Sequence, residues 1–175
     1  MSPARYDRPD PSEYADFYAA YIAAVPEGDL LKLLETQLEE TSTLLSGLPE
    51  FRANQAYAPG KWTVKEVLGH VSDAERVFAH RALRFARGDA TPLPSFDEKT
   101  WVPNSGANAR TLPDLLEEQR TVREATLALL RHLPADAPTR RGMASGREIS
   151  VRALAWIIAG HERHHLRILR ERYLG

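Results

Sequence analysis

A chain of 175 residues is long enough for one domain with a sizeable buried core and no covalent staples. Its 23 basic and 24 acidic side chains are interspersed and sum to −1, so it lacks the basic face of an electrostatic nucleic-acid binder. It has no cysteine, which excludes disulfides, thiolate ligands and a cysteine nucleophile and leaves any metal to histidines and carboxylates.

Residues 1–28 read as an N-terminal arm. Residues 1–13 are polar and Pro-rich with no apolar signal-peptide core, and the longest apolar run, 153–159, is too short to span a bilayer. A cytoplasmic protein without membrane contact is therefore expected. Within the arm, Tyr14, Phe17, Tyr18, Tyr21 and Ile22 recur three and four apart, which predicts a short helix packed on the main body. The first long helix is predicted over 29–48, with Leu30, Leu34, Leu38, Leu45 and Leu48 on one side and Pro49 ending it. The second opens on a capping box, Thr63 at the N-cap and Glu66 at N3, and runs to about residue 87, where Gly88 stops it.

Residues 89–110 form a long Pro/Gly/Asn-rich loop containing Phe96, Asp97, Glu98 and Trp101, whose aromatic content predicts an ordered segment, either a lid over the site or a cover of the bundle end that buries Trp101. A third helix is predicted over 111–133, ended by Pro134, with Leu115, Leu116, Val122, Leu129, Leu130 and Leu133 as its apolar face. A small hairpin turning at Ser145-Gly146 precedes the fourth helix, which starts at the N-cap Ser150 and runs to about residue 173. The sum is an all-α fold, a single-domain four-helix bundle over 1–175, and the interior of such bundles often holds metals.

The fourth helix carries Gly160-His161-Glu162-Arg163-His164-His165. Its apolar residues Val151, Leu154, Ala155, Ile157, Ile158, Ile168, Leu169 and Tyr173 define a face with His165 at its middle and His161 about 40° away, at 100° per residue. His164 falls at the edge, and Glu162 stays within the broad face. Histidines at i, i+4 on one face can share an ion. On the second helix His70 flanks the buried face, with Arg81 on the same flank, whereas His80 points to solvent and His132 suits a helix C-terminus. The predicted ligands are His70, His161 and His165.

His161-Glu162-x-x-His165 also satisfies the zinc-protease pattern H-E-x-x-H. That reading is rejected, because only ten residues follow His165 and Glu171, the sole downstream carboxylate, faces away from it. The third ligand must come from upstream.

Gly60-Lys61-Trp62-Thr63-Val64-Lys65-Glu66-Val67-Leu68-Gly69-His70, followed by Asp73-Ala74-Glu75, resembles the first signature of the DinB-like (YfiT-related) superfamily. Ala159-Gly160-His161-Glu162-x-His164-His165 resembles its second, and Thr91-Pro92-Leu93-Pro94-Ser95-Phe96-Asp97 extends the likeness, which runs from about residue 10 to the end. The resemblance implies a four-helix bundle, often a homodimer, with a divalent metal on three histidines that correspond to His70, His161 and His165. It also implies small-molecule chemistry such as thiol-dependent S-transfer, and it does not imply DNA chemistry. The aromatic arm offers a surface for a second copy.

Three neutral imidazoles leave a bound ion its full charge. Zinc or nickel there suits either hydrolysis through activated water or transfer from a low-molecular-weight thiol cosubstrate. Glu162 is the candidate proton acceptor, with a hydrogen bond to a ligand histidine or a plain structural role as the favoured alternatives because no independent feature marks a base. The competing expectation is a non-catalytic stress-response or binding protein with a structural or vestigial metal. An accessible, polar-rimmed site would favour the enzyme, and a sealed one the alternative.

Overall fold

Side-chain caps set the helix starts, and the apolar stripes behind them set what packs on what. In the computed structural model, which describes residues 6–174, the arm makes two 3-10 turns, Pro11–Glu13 and Asp16–Tyr18, and then a short helix, α1 (Ala19–Ala23). The first five residues of the predicted arm lie outside the described residues. Asp29 accepts from the N–H groups of Leu31 and Lys32 and starts α2 (Leu30–Leu45), which ends three residues before the predicted boundary. Pro49 instead begins a separate turn, α3 (Glu50–Ala53), because its fixed φ suits a helix start.

The predicted capping box is present. Thr63 Oγ1 accepts from Glu66 N at 3.1 Å, and Glu66 Oε2 accepts from Thr63 N at 2.8 Å, at the head of α4 (Val64–Ala86). The 89–110 segment is not a plain loop. Asp97 accepts from Lys99 N and from the Thr100 hydroxyl and so starts α5 (Glu98–Asn104), a helix too short to show a periodic stripe. Thr111 caps α6 (Leu112–Arg131), and the hairpin β1 (Arg141–Ala144) and β2 (Arg147–Ser150) pairs from Arg141↔Ser150 to Ala144↔Arg147. Ser145 and Gly146, with φ of 54° and 73°, form its turn. Leu93 bonds Met143 O and Ser145 N, which ties the segment after α4 to this hairpin.

Ser150 caps α7 (Val151–Ile168), which continues as a π-type turn, Leu169–Leu174. The long helices α2, α6, α4 and α7 pack in a ring in that order. One apolar layer centres on Leu34, Phe78, Leu130 and Trp156, and a second on Leu45, Leu68, Leu112 and Leu166. Between them lies a buried polar layer that includes Gln37, Thr41, Glu75, Gln119, Arg123 and Glu162. The arm packs on α7 of its own chain, with Trp156 Nε1 donating to Tyr6 O at 2.9 Å and the Arg8 guanidinium 4.5 Å over the indole.

Candidate metal centre

His70 lies on the second turn of α4, and His161 and His165 lie one turn apart on α7, so the packing of these two helices brings the three rings together. His161 Nε2 is 3.1 Å from His70 Nε2 and 3.2 Å from His165 Nε2, and one nitrogen from each ring lies within 4.8 Å of the others. His70 and His161 are buried, and His165 is partly exposed.

Burial is the main cause that pushes the His70 pKa down to about 4 and that of His161 well below its usual range. Burial, with His70 and His164 as neighbours, pushes His165 down to about 3. All three are neutral at pH 7 and therefore present lone pairs. Nitrogen lone pairs 3.1 Å apart repel unless a proton or a cation stands among them. Zinc–imidazole bonds of about 2.0–2.1 Å in tetrahedral geometry place neighbouring nitrogens about 3.3 Å apart. The donor set therefore fits a divalent ion.

In metal-free protein these depressed values couple to stability. An unfolded histidine titrates near its usual value of 6.5, and His70 only near about 4, so the unfolded chain binds more protons between those limits. Stability is complete above that window and is lost as pH falls through it. Urea midpoints of chelator-treated protein are expected to drop steadily from about pH 7 to about pH 4.5. A flat profile would show that the folded rings titrate as they do in the unfolded chain.

Two cavities flank the trio. One of about 290 Å³ is lined by Tyr21, His70, Phe78, Phe96, Glu98 and His161. The other, about 500 Å³, reaches His165 between Trp62, Tyr57, Tyr173, Lys61 and Lys99. Tyr21 packs edge-on against both His161 and His164, each at 5.4 Å between ring centroids, and Trp62 lies 4.8 Å from His70. His164 is half-buried and stands outside the trio, while His80 and His132 are exposed.

Glu162 points elsewhere. Its carboxylate accepts from Thr41 Oγ1 at 2.7 Å, Gln119 Nε2 at 2.6 Å and Arg123 Nη2 at 2.7 Å, in the polar layer facing α2 and α6. Arg123 also holds Glu75 through two bonds of 2.8 Å and donates to Leu34 O. The carboxylate that lines the metal-facing cavity is Glu98, which partly opposes the fall in the His70 pKa. Asp97 is occupied as the α5 cap, and Trp101 is 43% exposed and lines the neighbouring cavity beside Phe96. From the sequence, Arg123 had no assigned role, and Glu75 stood only as part of the first signature. Leu115, Gln119, Arg123 and Leu127 lie four apart along one stripe, and that spacing was the available signal.

The profile of the DinB superfamily matches residues 33–169. Among solved structures, the fold matches YfiT from Bacillus subtilis, a probable metal-dependent hydrolase with an unusual four-helix bundle topology. The TM-score is 0.69 at 18% identity, over 93% of this chain and 89% of that one. No curated protein sequence matches the chain. No helix among the described residues is long and apolar enough to cross a membrane.

Proposed function

Because the chain belongs to the DinB superfamily, we propose that His70, His161 and His165 hold a divalent ion, zinc or nickel, in an enzyme acting on a small molecule. The observation that carries this reading is the convergence of three neutral imidazoles on cavities open at both sides. A structural metal would be sealed in, whereas an accessible one suits substrate entry. When bound, such an ion supplies a Lewis acid that activates water for hydrolysis or a low-molecular-weight thiol for S-transfer. With no cysteine in the chain, the thiol would be a cosubstrate.

In this reading Glu98 takes the proton that the nucleophile gives up, since its carboxylate lines the cavity beside His70 and His161. Glu162 is a structural anion, held by Arg123, Gln119 and Thr41. Tyr21, Phe78 and Phe96 wall the cavity and limit water around the reacting group. A homodimer would use the apolar groove between α4 and α6, lined by Ala79, Leu83, Val122, Ala125 and Leu129. Light scattering at tens of micromolar tests that assembly, and a monomer mass would overturn it.

Elemental analysis of the purified protein tests the centre. About one divalent ion per chain is expected, lost in the His70→Ala/His165→Ala double variant and kept in His164→Ala. Full retention in the double variant would refute the site. Glu98→Gln should keep the metal and lower turnover about 100-fold, measured on panels of esters and of thiols paired with electrophiles. Unchanged turnover would remove Glu98 from the chemistry, and no turnover by the wild type would favour a non-catalytic protein.

A further inference from the structure

Arg81 lies on α4 one turn beyond Phe78 and is 2% exposed. The other fully buried arginine, Arg123, has two carboxylates for its one charge. Arg81 has none within ion-pair distance among the described residues. Its Nη2 donates to Pro94 O at 2.7 Å and to Ser145 Oγ at 3.1 Å, and both partners are neutral. A buried guanidinium without an anion is costly to keep, and that cost is recovered if an anion arrives from outside.

Ser145 is the second observation. It is the one non-glycine residue with positive φ among the described residues, at 54°, in a turn whose other position is Gly146. Glycine or asparagine would fill that position with less strain, and strain of this kind persists where the side chain has a use. The Ser145 hydroxyl meets Arg81, and Ser145 also lines the cavity that reaches His70 and His161. The Tyr18 phenol, on the same wall, lies beside the guanidinium as well, which offsets part of the rise that burial causes in its pKa.

We propose that Arg81 and Ser145 form the subsite for the carboxylate of a monoanionic organic substrate whose reacting end lies at His70 and His161. The assignment rests on the catalytic reading above. It goes further by naming the substrate class. The Phe78 ring centroid lies 6.0 Å from that of His161 and 5.9 Å from Arg81 Cζ, so cation and centre are at most about 12 Å apart. A small aromatic or short-chain acid fits within that limit. Phe78, Phe96 and Tyr18 supply apolar walls for its body in the cavity of about 290 Å³. Arg81 itself lines the adjoining cavity of about 370 Å³, which shares Ser95 and Phe96 with this one. The other guanidinium there, Arg76, is already paired with Asp73 and Glu118, and Glu98 lines the first cavity near His70, which disfavours a second negative charge. The subsite therefore suits a carboxylate rather than a phosphate dianion.

Calorimetric titration with benzoate and its neutral isostere benzamide tests the subsite, using chelator-stripped and zinc-loaded protein. The stripped arm isolates Arg81 from the affinity of the metal itself for carboxylates, so it stands or falls independently of the metal centre. Stripped wild type is expected to bind benzoate at least about tenfold more tightly than benzamide, and Arg81→Gln should abolish that preference. Ser145→Gly relaxes the turn, so its melting temperature should be unchanged or raised while the preference falls. That combination is one a purely structural serine would not produce, and it carries the test if Arg81→Gln fails to fold. No preference in the stripped wild type, or full preference in Ser145→Gly, would overturn the subsite, and tighter binding of phenyl phosphate than of benzoate would overturn the carboxylate assignment.

Discussion

Arg123→Ala is expected to cost about 3–5 kcal/mol, a large share of the stability of a domain of this size. Arg123 is fully buried and is the cation that Glu75 and Glu162 share, so its removal leaves two buried carboxylates without a cation. The layer is already short of positive charge, with two anions for one cation. Gln37 and Gln119 cannot make up the loss, since each donates its amide N–H to a carbonyl or carboxylate oxygen and leaves its own Oε1 without a protein partner. Urea denaturation at pH 7 measures the loss. The same construction predicts a rescue. Replacing Arg123, Glu75 and Glu162 together with apolar residues of similar volume, and Thr41 and Gln119 with Val and Leu so that no donor to Glu162 is orphaned, should recover most of it, because the pair energy and the desolvation cost disappear together. A loss under about 1 kcal/mol in the single variant would mean that water reaches the layer.

Gly160→Ala is expected to destabilise by about 1–3 kcal/mol, at the upper end of that range. A Cβ on Gly160 would lie 2.0 Å from Tyr21 O and 2.4 Å from Tyr21 C, and these are backbone atoms of α1 that no rotamer change can move. The arm must therefore withdraw from α7 and take the Tyr21 ring off His161 and His164. Two readouts follow: a lower urea midpoint, and faster proteolysis between residues 14 and 28. Gly47→Ala is the control, since nothing lies within 4 Å of its Cβ, and it should leave both unchanged. Equal behaviour of the two variants would show that the arm is not seated on α7.

Much of the bundle was legible because its signals are local. Thr63 with Glu66, Asp29, Thr111 and Ser150 act within three residues of themselves, so the helix starts could be read without any tertiary information. The helical stripe also put His70, His161 and His165 on inward faces and His164 at an edge. The helix within 89–110 was not legible, because α5 has seven residues with one buried side chain, and a single buried residue makes no period. The direction of Glu162 was missed for a different reason. The buried part of α7 is so broad that one helix faces two interiors, with His161 turned to α4 and Glu162 turned to α2 and α6.

The sequence by itself determined the all-α class, the helix starts, the exclusion of cysteine ligands and of a cysteine nucleophile, and the inward histidines, since these follow from composition, capping and the period of single helices. Only the tertiary structure decided that His70 Nε2 comes within 3.1 Å of His161 Nε2, that Glu98 and not Glu162 lines the cavity, and that Arg81 is buried without an anion. Those facts depend on contacts between residues dozens of positions apart. A periodic pattern says that a face is buried, but only the packing of neighbouring helices says against what.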